Sequence, residues 1–386
     1  MRADTQTEAS IIHASASAHE PDVLDQIADQ LGPGPFALVM LFISPEADLR
    51  HVAAQAMRLP ARHVVGCTTA GEISARGYEE GVIVATGFPE RHFAAETLLI
   101  PNLDRFSRTE AASVFLQARQ ALAQDHPHFP HEFSILLVDG LSVMEDRLAS
   151  ALAAGAGAVP LIGGSAGDGT RFRETFVLHQ GRLLQNAAVL SVLRGTCPVR
   201  AVNMDHLEPT DRKMVVTDAD PAARIVRRIN GEPAAQEYAR ILGKDPAMLD
   251  HLTFAAHPLA VRVGARHHVR AIQQMLPSGD LLFFAAIDTG VVLTLTRPHD
   301  LAAHLETELS RLAEPARPLA VLAFDCILRR IEARENQLTG VISEILSHHR
   351  VRGFSTYGEQ FGPMHVNHTL TGCVFYPPGT ILPEKG

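Results

Sequence analysis

The chain has 386 residues, of which 46% are hydrophobic and 20% are charged. These proportions are typical of a folded protein and exclude a largely disordered one, while the length predicts two domains. Lys and Arg number 34 against 43 Asp and Glu, which gives a net charge of −9. Because phosphate groups must be neutralised by Lys and Arg, neither nucleic acid nor an anionic membrane is expected as a partner.

No segment is typical of membrane insertion or secretion. The longest stretch without a charged residue, 148–167, is interrupted by glycines and by Pro160, so it predicts a helix end, a turn and a strand rather than a membrane span. Residues 1–10 are polar and partly acidic, so no secretory signal is expected. The widely spaced cysteines predict neither disulfides nor a zinc site and favour a reducing cytoplasm. They are Cys67, Cys197, Cys326 and Cys373.

The first predicted elements alternate strand and helix. The apolar run 35–43 predicts a strand buried on both faces, and 48–59 has helical spacing that Pro60 ends. A second strand then enters a polar turn over residues 63–72. The alternating segments 81–88 and 93–100 predict the two strands of a hairpin.

The same order recurs twice. A strand at 133–138, a helix at 144–154 and a strand and turn at 161–168 precede a hairpin whose strands are 175–179 and 187–193. The third copy has a strand at 319–324, a helix at 336–347, a strand and turn at 351–359 and a closing strand at 370–376.

Three turn glycines mark the repeat. Gly66 and Gly163 are 97 residues apart, and Gly163 and Gly353 are 190 apart, which is close to twice that spacing. A degenerate further copy is expected at 259–265, before strands at 281–287 and 291–296. One unit of about a hundred residues, used three or four times, therefore organises the chain.

A charge-rich connection over 206–220 precedes a helix at 233–242 and predicts the boundary between two halves. We place it at residue 218, so that the expected domains are 1–218 and 219–386. The predicted fold class is α/β, with repeated strand–helix–strand–hairpin units forming two related domains.

Each predicted turn combines small, hydroxyl and acidic residues. Glycine, hydroxyl and carboxylate groups are what a tight strand exit needs, so Glu72, Asp168 and Glu359 are expected to cap the turns. The same groups could also surround one shared binding cavity. Residues 163–167 match the G-x-S-x-G pattern of a hydrolase, but that motif requires a helix after the serine, whereas a hairpin is predicted here.

Several of the 20 histidines stand near these turns. His348 and His349 end the predicted helix before the third turn, where they either favour the helix dipole or supply an axial ligand to a metal or haem. His365 and His368 lie on an extended stretch and would face opposite sides, which excludes joint chelation of zinc. His267 and His268 are expected in a solvated loop.

The third turn carries a specific resemblance. Residues 353–360, Gly-Phe-Ser-Thr-Tyr-Gly-Glu-Gln, together with 364–367 and Thr369, resemble the C-terminal signature of FIST-domain proteins. The turns at 65–72 and 163–168 are similar to the FIST N-terminal domain. FIST domains are regarded as intracellular sensory modules for small ligands. Since the chain carries no recognisable kinase, cyclase or methyl-accepting domain, the resemblance implies that its output goes to a separate protein.

This variant of the motif is similar to stand-alone FIST proteins that bind haem b and sense nitric oxide. Such relatives regulate a histidine kinase, or a diguanylate cyclase or phosphodiesterase of cyclic-di-GMP, and through them biofilm formation. The resemblance implies that His349, four residues before Gly353, is the metal ligand, with His348 as a neighbouring alternative. One departure is His368, where such relatives usually carry Gln. The further residues implied for the cofactor are Arg350 and Arg352, which either pair with the propionates or lie in solvent, and Phe354, Tyr357 and His365.

Three functions remain open at this stage, and a non-enzymatic one is preferred. The first is a cytoplasmic, haem-dependent sensor of nitric oxide. The second is a haem-free sensor of a small polar ligand such as an amino acid. The third is a hydrolase, which would require a His and an acid beside Ser165. A homo-oligomer is compatible with each. A buried His349 among apolar side chains would support haem, and an exposed one would count against it. The residues expected at a polar-ligand site are Thr68, Thr69, Ser165, Ser355, Thr356, Glu359 and Asn367.

Overall fold

Helices form where apolar side chains recur every three or four residues. A computed structural model of the chain describes residues 11–264 and 266–383, and Leu301–Arg311 illustrates the pattern, because Leu301, Leu305 and Leu309 are all buried on one side of this helix. Asp300 caps it by accepting a hydrogen bond from the amide N–H of Ala303 at 2.9 Å. The α-helices of the described residues are α1 (Val23–Leu31), α2 (Leu49–Ala56), α3 (Arg108–Asp125), α4 (Glu145–Ala156), α5 (Ala234–Leu242), α6 (His251–Ala256), α7 (Leu301–Arg311), α8 (Ile327–Glu335) and α9 (Thr339–His348).

Strands form where short apolar or alternating segments lie between turns. Phe36–Ile43 has all eight residues buried, as expected of a strand that is covered on both faces. The strands of the described residues are β1 (Ile12–Ser17), β2 (Phe36–Ile43), β3 (Ala61–Thr68), β4 (Glu72–Ser74), β5 (Gly77–Glu79), β6 (Val82–Pro89), β7 (Phe93–Pro101), β8 (His131–Val138), β9 (Leu161–Ser165), β10 (Val177–His179), β11 (Arg182–Leu184), β12 (Ala187–Gly195), β13 (Val199–Asp205), β14 (Leu207–Asp220), β15 (Ile225–Ile229), β16 (Glu232–Pro233), β17 (Leu259–Val263), β18 (Arg266–Arg270), β19 (Ile272–Met275), β20 (Leu281–Phe283), β21 (Val292–Pro298), β22 (Ala320–Cys326), β23 (Val351–Thr356), β24 (Glu359–Phe361), β25 (Met364–Val366) and β26 (Thr369–Phe375).

Three six-stranded sheets are each built around one pair of parallel strands. The pairs are β2 with β3, β8 with β9, and β22 with β23, and the chain between the two strands of each pair is helical. An antiparallel strand lies on the other side of the first strand in each pair: β6, β12 and β26 respectively. The three repeated units and the α/β fold class that the sequence predicts are therefore confirmed.

Each unit contributes a short hairpin to the sheet of another unit. The hairpin β4–β5 pairs with β23 in the third sheet, β10–β11 pairs with β3 in the first, and β24–β25 pairs with β9 in the second. The exchange is cyclic, so the three units form a closed ring. Every sheet is completed by a neighbouring unit.

The three sheets share one apolar core on their inner faces. Phe88 of the first sheet and Phe133 of the second both contact Phe375 of the third, with ring centroids 6.0 and 5.3 Å apart. The outer faces are covered by helices: α1 and α2 on the first sheet, α3 and α4 on the second, and α7 and α9 on the third. Two-sided burial explains why the central strands are apolar throughout.

The chain between β13 and α7 forms a fourth sheet, in the order β18-β17-β21-β14-β15-β20-β19, with β16 beside β15. The expectation of a further repeat at 259–265 is wrong, because β17 pairs antiparallel with both β18 and β21 and has no parallel partner among the described residues.

Residue 218, the predicted domain boundary, lies within β14. The domain ranges 1–218 and 219–386 stay a prediction.

Two strand pairings differ from the sequence-based expectation. β6 and β7 do not form a hairpin, because β6 joins the first sheet and β7 pairs with β12 in the second. β10 likewise pairs with the short β11, while β12 crosses to the second sheet. The predicted connection over 206–220 is the long strand β14, whose charged side chains are exposed while Met214 and Val216 are buried. An alternating pattern predicts a strand but carries no information about its partner.

The repeated glycines lie within strands rather than in the turns. Gly66 is opposite Leu41, Gly163 is opposite Leu136 and Gly353 is opposite Ala323, each across a parallel pair. A Cβ atom at these glycines would stand 2.2, 1.9 and 1.8 Å from the carbonyl oxygen of the opposite residue. Close approach of the two backbones, at the same position in each unit, therefore requires glycine.

Candidate functional site

The segments that follow β3, β9 and β23 meet in the interior and form what we call the central junction, residues 68–72, 165–169 and 355–359. The amide N–H of Ala70 donates to the carbonyl of Ser355 at 2.8 Å, and that of Gly167 donates to the carbonyl of Thr68 at 2.9 Å. The amide of Ser165 closes the ring by donating to Gly358 at 2.9 Å. The structure thus brings together the three turns that the sequence singles out.

The hydroxyl groups predicted to bind ligand are buried here and are used within the junction. Thr69 donates to the carboxyl of Glu72, and Thr356 donates to Glu359 at 3.1 Å. Thr68 accepts the amide N–H of Phe176 at 3.0 Å. These hydrogen bonds stabilise the turns, so the hydroxyl groups have a structural role, as the repeat predicts.

Asp168 holds the second turn together. Its carboxylate accepts the amide N–H groups of Phe172, Arg173 and Glu174 at 2.8 to 3.1 Å. It also accepts the hydroxyl of Tyr357, whose ring stacks on that of Phe172 with centroids 4.4 Å apart. Asp168 therefore acts as the expected cap, and Tyr357 belongs to the junction rather than to a cofactor pocket near His349.

Glu72 and Glu359 are buried carboxyl groups at equivalent positions. Burial raises the pKa of Glu72 to about 8, although the hydrogen bond from Thr69 and the charge of Arg330 oppose the shift. Burial also raises the pKa of Glu359 well above its usual range, against hydrogen bonds from Thr369 and Thr356. The second carboxyl oxygen of Glu72 has no hydrogen-bond partner among the described residues. Glu72 is consequently protonated at neutral pH.

This protonation makes stability depend on pH. The pKa of Glu72 is about 8 in the folded chain against an ordinary value of 4.5, so the folded state binds the extra proton between these values and becomes less stable as the pH rises through them. Relative to the unmodified chain, we expect Glu72→Gln to gain about 3 kcal/mol in free energy of unfolding between pH 5 and pH 8. Urea unfolding at both pH values measures the change, with the exposed Glu344→Gln as control. Parallel pH profiles for all three proteins would contradict it.

Ser165 lacks the surroundings of a hydrolase nucleophile. Its hydroxyl accepts a hydrogen bond from the side-chain amide of Gln360 at 3.0 Å, and the chain after β9 runs through a loop into β10 instead of into a helix. The same Gln360 amide lies 3.3 Å from Nδ1 of His365, a fully buried histidine whose pKa is lowered by burial. Asn367 donates to the carbonyl of Tyr357 at 3.4 Å. The G-x-S-x-G match therefore covers the end of β9 and the start of the turn that follows it.

His365 and His368 face different surroundings. His365 lies at the junction, whereas His368 is near Glu332, His206 and Arg329, and burial lowers its pKa to about 3. Neither ring nitrogen of His368 has a hydrogen-bond partner in the described part of the chain. Among residues 11–264 and 266–383, no group of three or more His, Cys, Asp or Glu side chains could hold a metal ion.

His348, His349 and Arg350 lie at the surface, at the end of α9. His348 and Arg350 are exposed, and the side chain of His349 is 16% exposed with Nε2 3.1 Å from Oε1 of Glu306. They line a cleft of about 320 Å³ together with apolar residues such as Leu309 and Val321. This lining fits haem in part, since an imidazole, guanidinium groups and apolar side chains are present. Nε2 of this imidazole, however, is hydrogen-bonded to the carboxylate of Glu306.

The other residues expected at the cofactor lie elsewhere. Phe354 is in the inner core, where its ring contacts those of Phe42 and Phe324 at centroid distances of 4.8 and 5.6 Å. Arg352 is half-buried, and burial lowers its pKa. The predicted cofactor residues are therefore divided among the α9 cleft, the inner core and the central junction. The structure does not bring them into one pocket.

A second cleft, of about 280 Å³, opens directly beside the central junction and is called the junction cleft. It is bounded by the first two turns and by α8, which supplies Arg330 and Arg334 one helical turn apart. Sequence reasoning missed these arginines, although their spacing of four residues, which is typical of one face of a helix, is visible in the sequence. The lining residues are Pro45, Glu46, Ala70, Gly71, Glu72, Glu80, Asp168, Gly169, Thr170, Arg171, Ile327, Arg330, Ile331, Arg334 and Thr339.

Arg330 is held in place mainly by neutral groups. Its guanidinium donates to the carbonyl oxygens of Glu72 and Glu79 at 3.2 and 2.6 Å, and it lies over the ring of Tyr78 at 4.8 Å. Gly71 makes room for it, because a Cβ atom there would stand 2.5 Å from the guanidinium carbon. The carboxylate of Glu80, 3.6 Å away, is largely exposed. The cation is thus fixed and only weakly neutralised, which suits it to bind an anion.

Two further observations concern the cellular compartment of the protein. All four cysteines are buried and free. Within the described residues, none of the helices combines the length and the apolar character that crossing a bilayer requires.

The matches to known families cover most of the chain. Residues 37–232 match the FIST N domain, and residues 234–362 match the FIST C domain. The chain therefore belongs to the FIST family, as the turn motifs predict. The first match covers the first two repeated units from residue 37 onward. The second covers most of the fourth sheet and the third unit as far as β24, and it ends before β25 and β26.

One relative is a protein of Methanocaldococcus jannaschii that is described only as uncharacterised. It is 21% identical to this chain over an alignment of 402 positions, which covers 92% of this chain and 76% of the relative. Membership of the FIST family points to a sensory role in signal transduction.

Proposed function

We propose that this protein is a cytoplasmic sensor that binds a small zwitterionic molecule, such as an amino acid, in the junction cleft. Its output would go to a separate histidine kinase or cyclic-di-GMP enzyme. The observation that carries the proposal is Arg330, a fixed and weakly neutralised cation at the wall of a cleft. A guanidinium pairs with a carboxylate through two parallel hydrogen bonds.

The complementary charge comes from two carboxylates. Glu46 and Glu80 line the same cleft and are suited to receive an ammonium group. At about 280 Å³ the cleft is at the lower end of the range for ligand pockets, which favours a molecule much smaller than a porphyrin.

The position of the cleft supports a sensory role. Its walls come from the first unit at Ala70–Glu72, from the second at Asp168–Arg171 and from the third at α8. A ligand would therefore contact all three units at once and favour one arrangement of the ring over others.

The test is a panel of the twenty amino acids, each screened by thermal shift against the full chain and followed by calorimetry. At least one is expected to bind, and Arg330→Gln is expected to weaken its binding 10- to 100-fold, since a hydrogen bond to a charged group is worth about 1.5–3 kcal/mol. Arg330→Lys keeps the charge and should retain part of the affinity.

The control is Arg297→Gln, which removes an exposed arginine in the fourth sheet. Thermal unfolding of each variant without ligand shows whether it is folded. No binding by any member of the panel, or equal binding by Arg330→Gln and the unmodified chain, would contradict the proposal.

Haem binding in the cleft at α9 is the second candidate, because His349, Arg317, Arg350 and apolar side chains adjoin this cleft. Haem, when bound, supplies an iron atom to which nitric oxide coordinates. His349 would hold it only after giving up its hydrogen bond to Glu306. The first proposal is preferred because this bond engages Nε2 and because Phe354, Tyr357 and His365 lie outside the cleft.

Titration with haem, followed by reduction and exposure to nitric oxide, separates the candidates. The first proposal predicts no stoichiometric uptake. The haem candidate predicts a Soret band that shifts with nitric oxide, that is lost in His349→Ala and that persists in the matched variant His348→Ala. Removing the competing carboxylate with Glu306→Gln would then increase haem affinity.

A further inference from the structure

The outer edge of the second sheet is open along the second half of β7. In the described part of the chain β7 has a single strand neighbour, β12, so the outward-facing backbone groups of its other edge have no strand partner. Residues 97–101 of this edge line a groove of about 790 Å³. The groove shares no residue with the junction cleft or with the cleft at α9.

This edge lacks the features that usually protect an edge strand. Natural edges carry lysine, an internal proline, a bulge or inward-pointing charges. Residues 97–100 have the sequence Thr-Leu-Leu-Ile, contain no charge and are half-buried, and the β7–β12 register is continuous. Glu96 precedes them and Pro101 ends the strand. An edge of this kind favours the addition of another strand.

A helix forms the second wall of the groove. The start of α3 contributes Ala111 and Val114, and the segment before it contributes Phe106. The side chain of Val114 is 41% exposed, which is a high value for a valine beside a groove. An open strand edge beside a helix, with apolar side chains between them, is the geometry in which extended peptides bind by strand addition.

The charged residues that line the groove indicate which kind of peptide segment binds there. Asp104 lies 3.3 Å from Arg105 and accepts a hydrogen bond from Asn186, so these two opposite charges offset each other. Glu110 also lines the groove, is exposed and forms no ion pair with any residue that the structure describes. The groove is therefore apolar along β7 and acidic at the start of α3.

We propose that an extended segment of a partner protein binds here by adding a strand to β7. The segment has apolar side chains at alternate positions, which contact Leu98, Ile100 and Val114, and a Lys or Arg that faces Glu110. Since the groove is separate from the junction cleft, this docking surface is independent of the proposed ligand.

The test is a selection from a phage-displayed library of random peptides against the full chain. Enriched peptides are expected to alternate apolar residues and to carry a basic residue. Their affinity, measured by fluorescence anisotropy, should fall at least tenfold for Val114→Arg. Leu116→Arg is the matched control, since Leu116 is on the same helix, is 43% exposed and is outside the groove. Glu110→Lys should reverse the charge preference of the selected peptides.

Three results would overturn the proposal: no enriched sequence, peptides that bind all of these variants equally, or occupation of the groove by a second copy of the chain. The last would appear as a dimer in sedimentation velocity that Val114→Arg dissociates and Leu116→Arg does not. Thermal unfolding of each variant, compared with the unmodified chain, verifies that the substitutions leave the fold intact.

Discussion

Replacing Gly163 by alanine is expected to lower the free energy of unfolding by about 3 kcal/mol or more. Gly163 lies in β9 directly opposite Leu136 of β8, and the added Cβ atom would stand 1.9 Å from the carbonyl oxygen of Leu136. Backbone atoms cannot turn away as a side chain can, so the two parallel strands would have to separate. Both strands are buried in the inner core, where such a shift disturbs many contacts.

Urea unfolding followed by circular dichroism measures the effect. Gly340→Ala is the control: Gly340 lies in α9, nothing is within 4 Å of its added Cβ atom, and alanine should stabilise the helix by about 0.5–1 kcal/mol. Gly66→Ala and Gly353→Ala should resemble Gly163→Ala because the three positions are equivalent. An effect confined to one of the three would contradict the shared role of these glycines.

Asp325→Ala is expected to lower the free energy of unfolding by about 3–5 kcal/mol. Asp325 is fully buried in β22, and its carboxylate lies 2.7 Å from Nε of Arg329, which is 1% exposed. The hydroxyl of Tyr78 donates to the other carboxylate oxygen. Without Asp325, the guanidinium would lose its closest counter-ion in a place that water does not reach.

A neutral histidine continues this buried network. Burial and the charge of Arg329 lower the pKa of His206 to about 2. Its Nδ1 accepts a hydrogen bond from Arg329 at 3.0 Å, and its Nε2–H donates to Glu332 at 2.9 Å. His206 is therefore neutral beside the guanidinium and supplies no negative charge that could replace the lost carboxylate.

The double variant Asp325→Leu with Arg329→Met tests this explanation. Apolar residues of similar volume remove both charges, so the double variant should recover at least half of the stability that Asp325→Ala loses. Chemical denaturation of the single and double variants measures the recovery. A double variant less stable than Asp325→Ala would show that the charges contribute through contacts other than their own pair.

The sequence predicted the fold best where a structural requirement acts on residues that are neighbours in the chain. The apolar run at β2 and the helix ended by Pro60 were recognisable because burial and helix termination depend on local patterns. The glycine spacing revealed the repeat, although glycine is needed for the approach of paired strands and not for the turn. The pairing of β6, β7 and β12 could not be predicted, since an alternating strand fits any sheet with one buried face.

The candidate site, like the fold, could be predicted from the sequence only in part. The turn motifs identified the central junction and the FIST family, because small and acidic residues at a strand exit leave a local signature. The junction cleft depends equally on Arg330, which lies 258 positions along the chain from Glu72, the residue whose carbonyl it contacts. The residues implied for haem were adjacent in sequence but were separated by the alternation of side chains along β23 and by the end of α9.

The sequence by itself determined the α/β class, the three repeated units and the family, because each follows from burial patterns or motifs within short segments. Only the tertiary structure decided that the hairpins are exchanged around a ring, that Arg330 faces the turns, and that His349 lies at the surface beside Glu306. The physical reason is that these features arise from contacts between distant segments. Such contacts are set by the packing of whole sheets and helices, which no local pattern specifies.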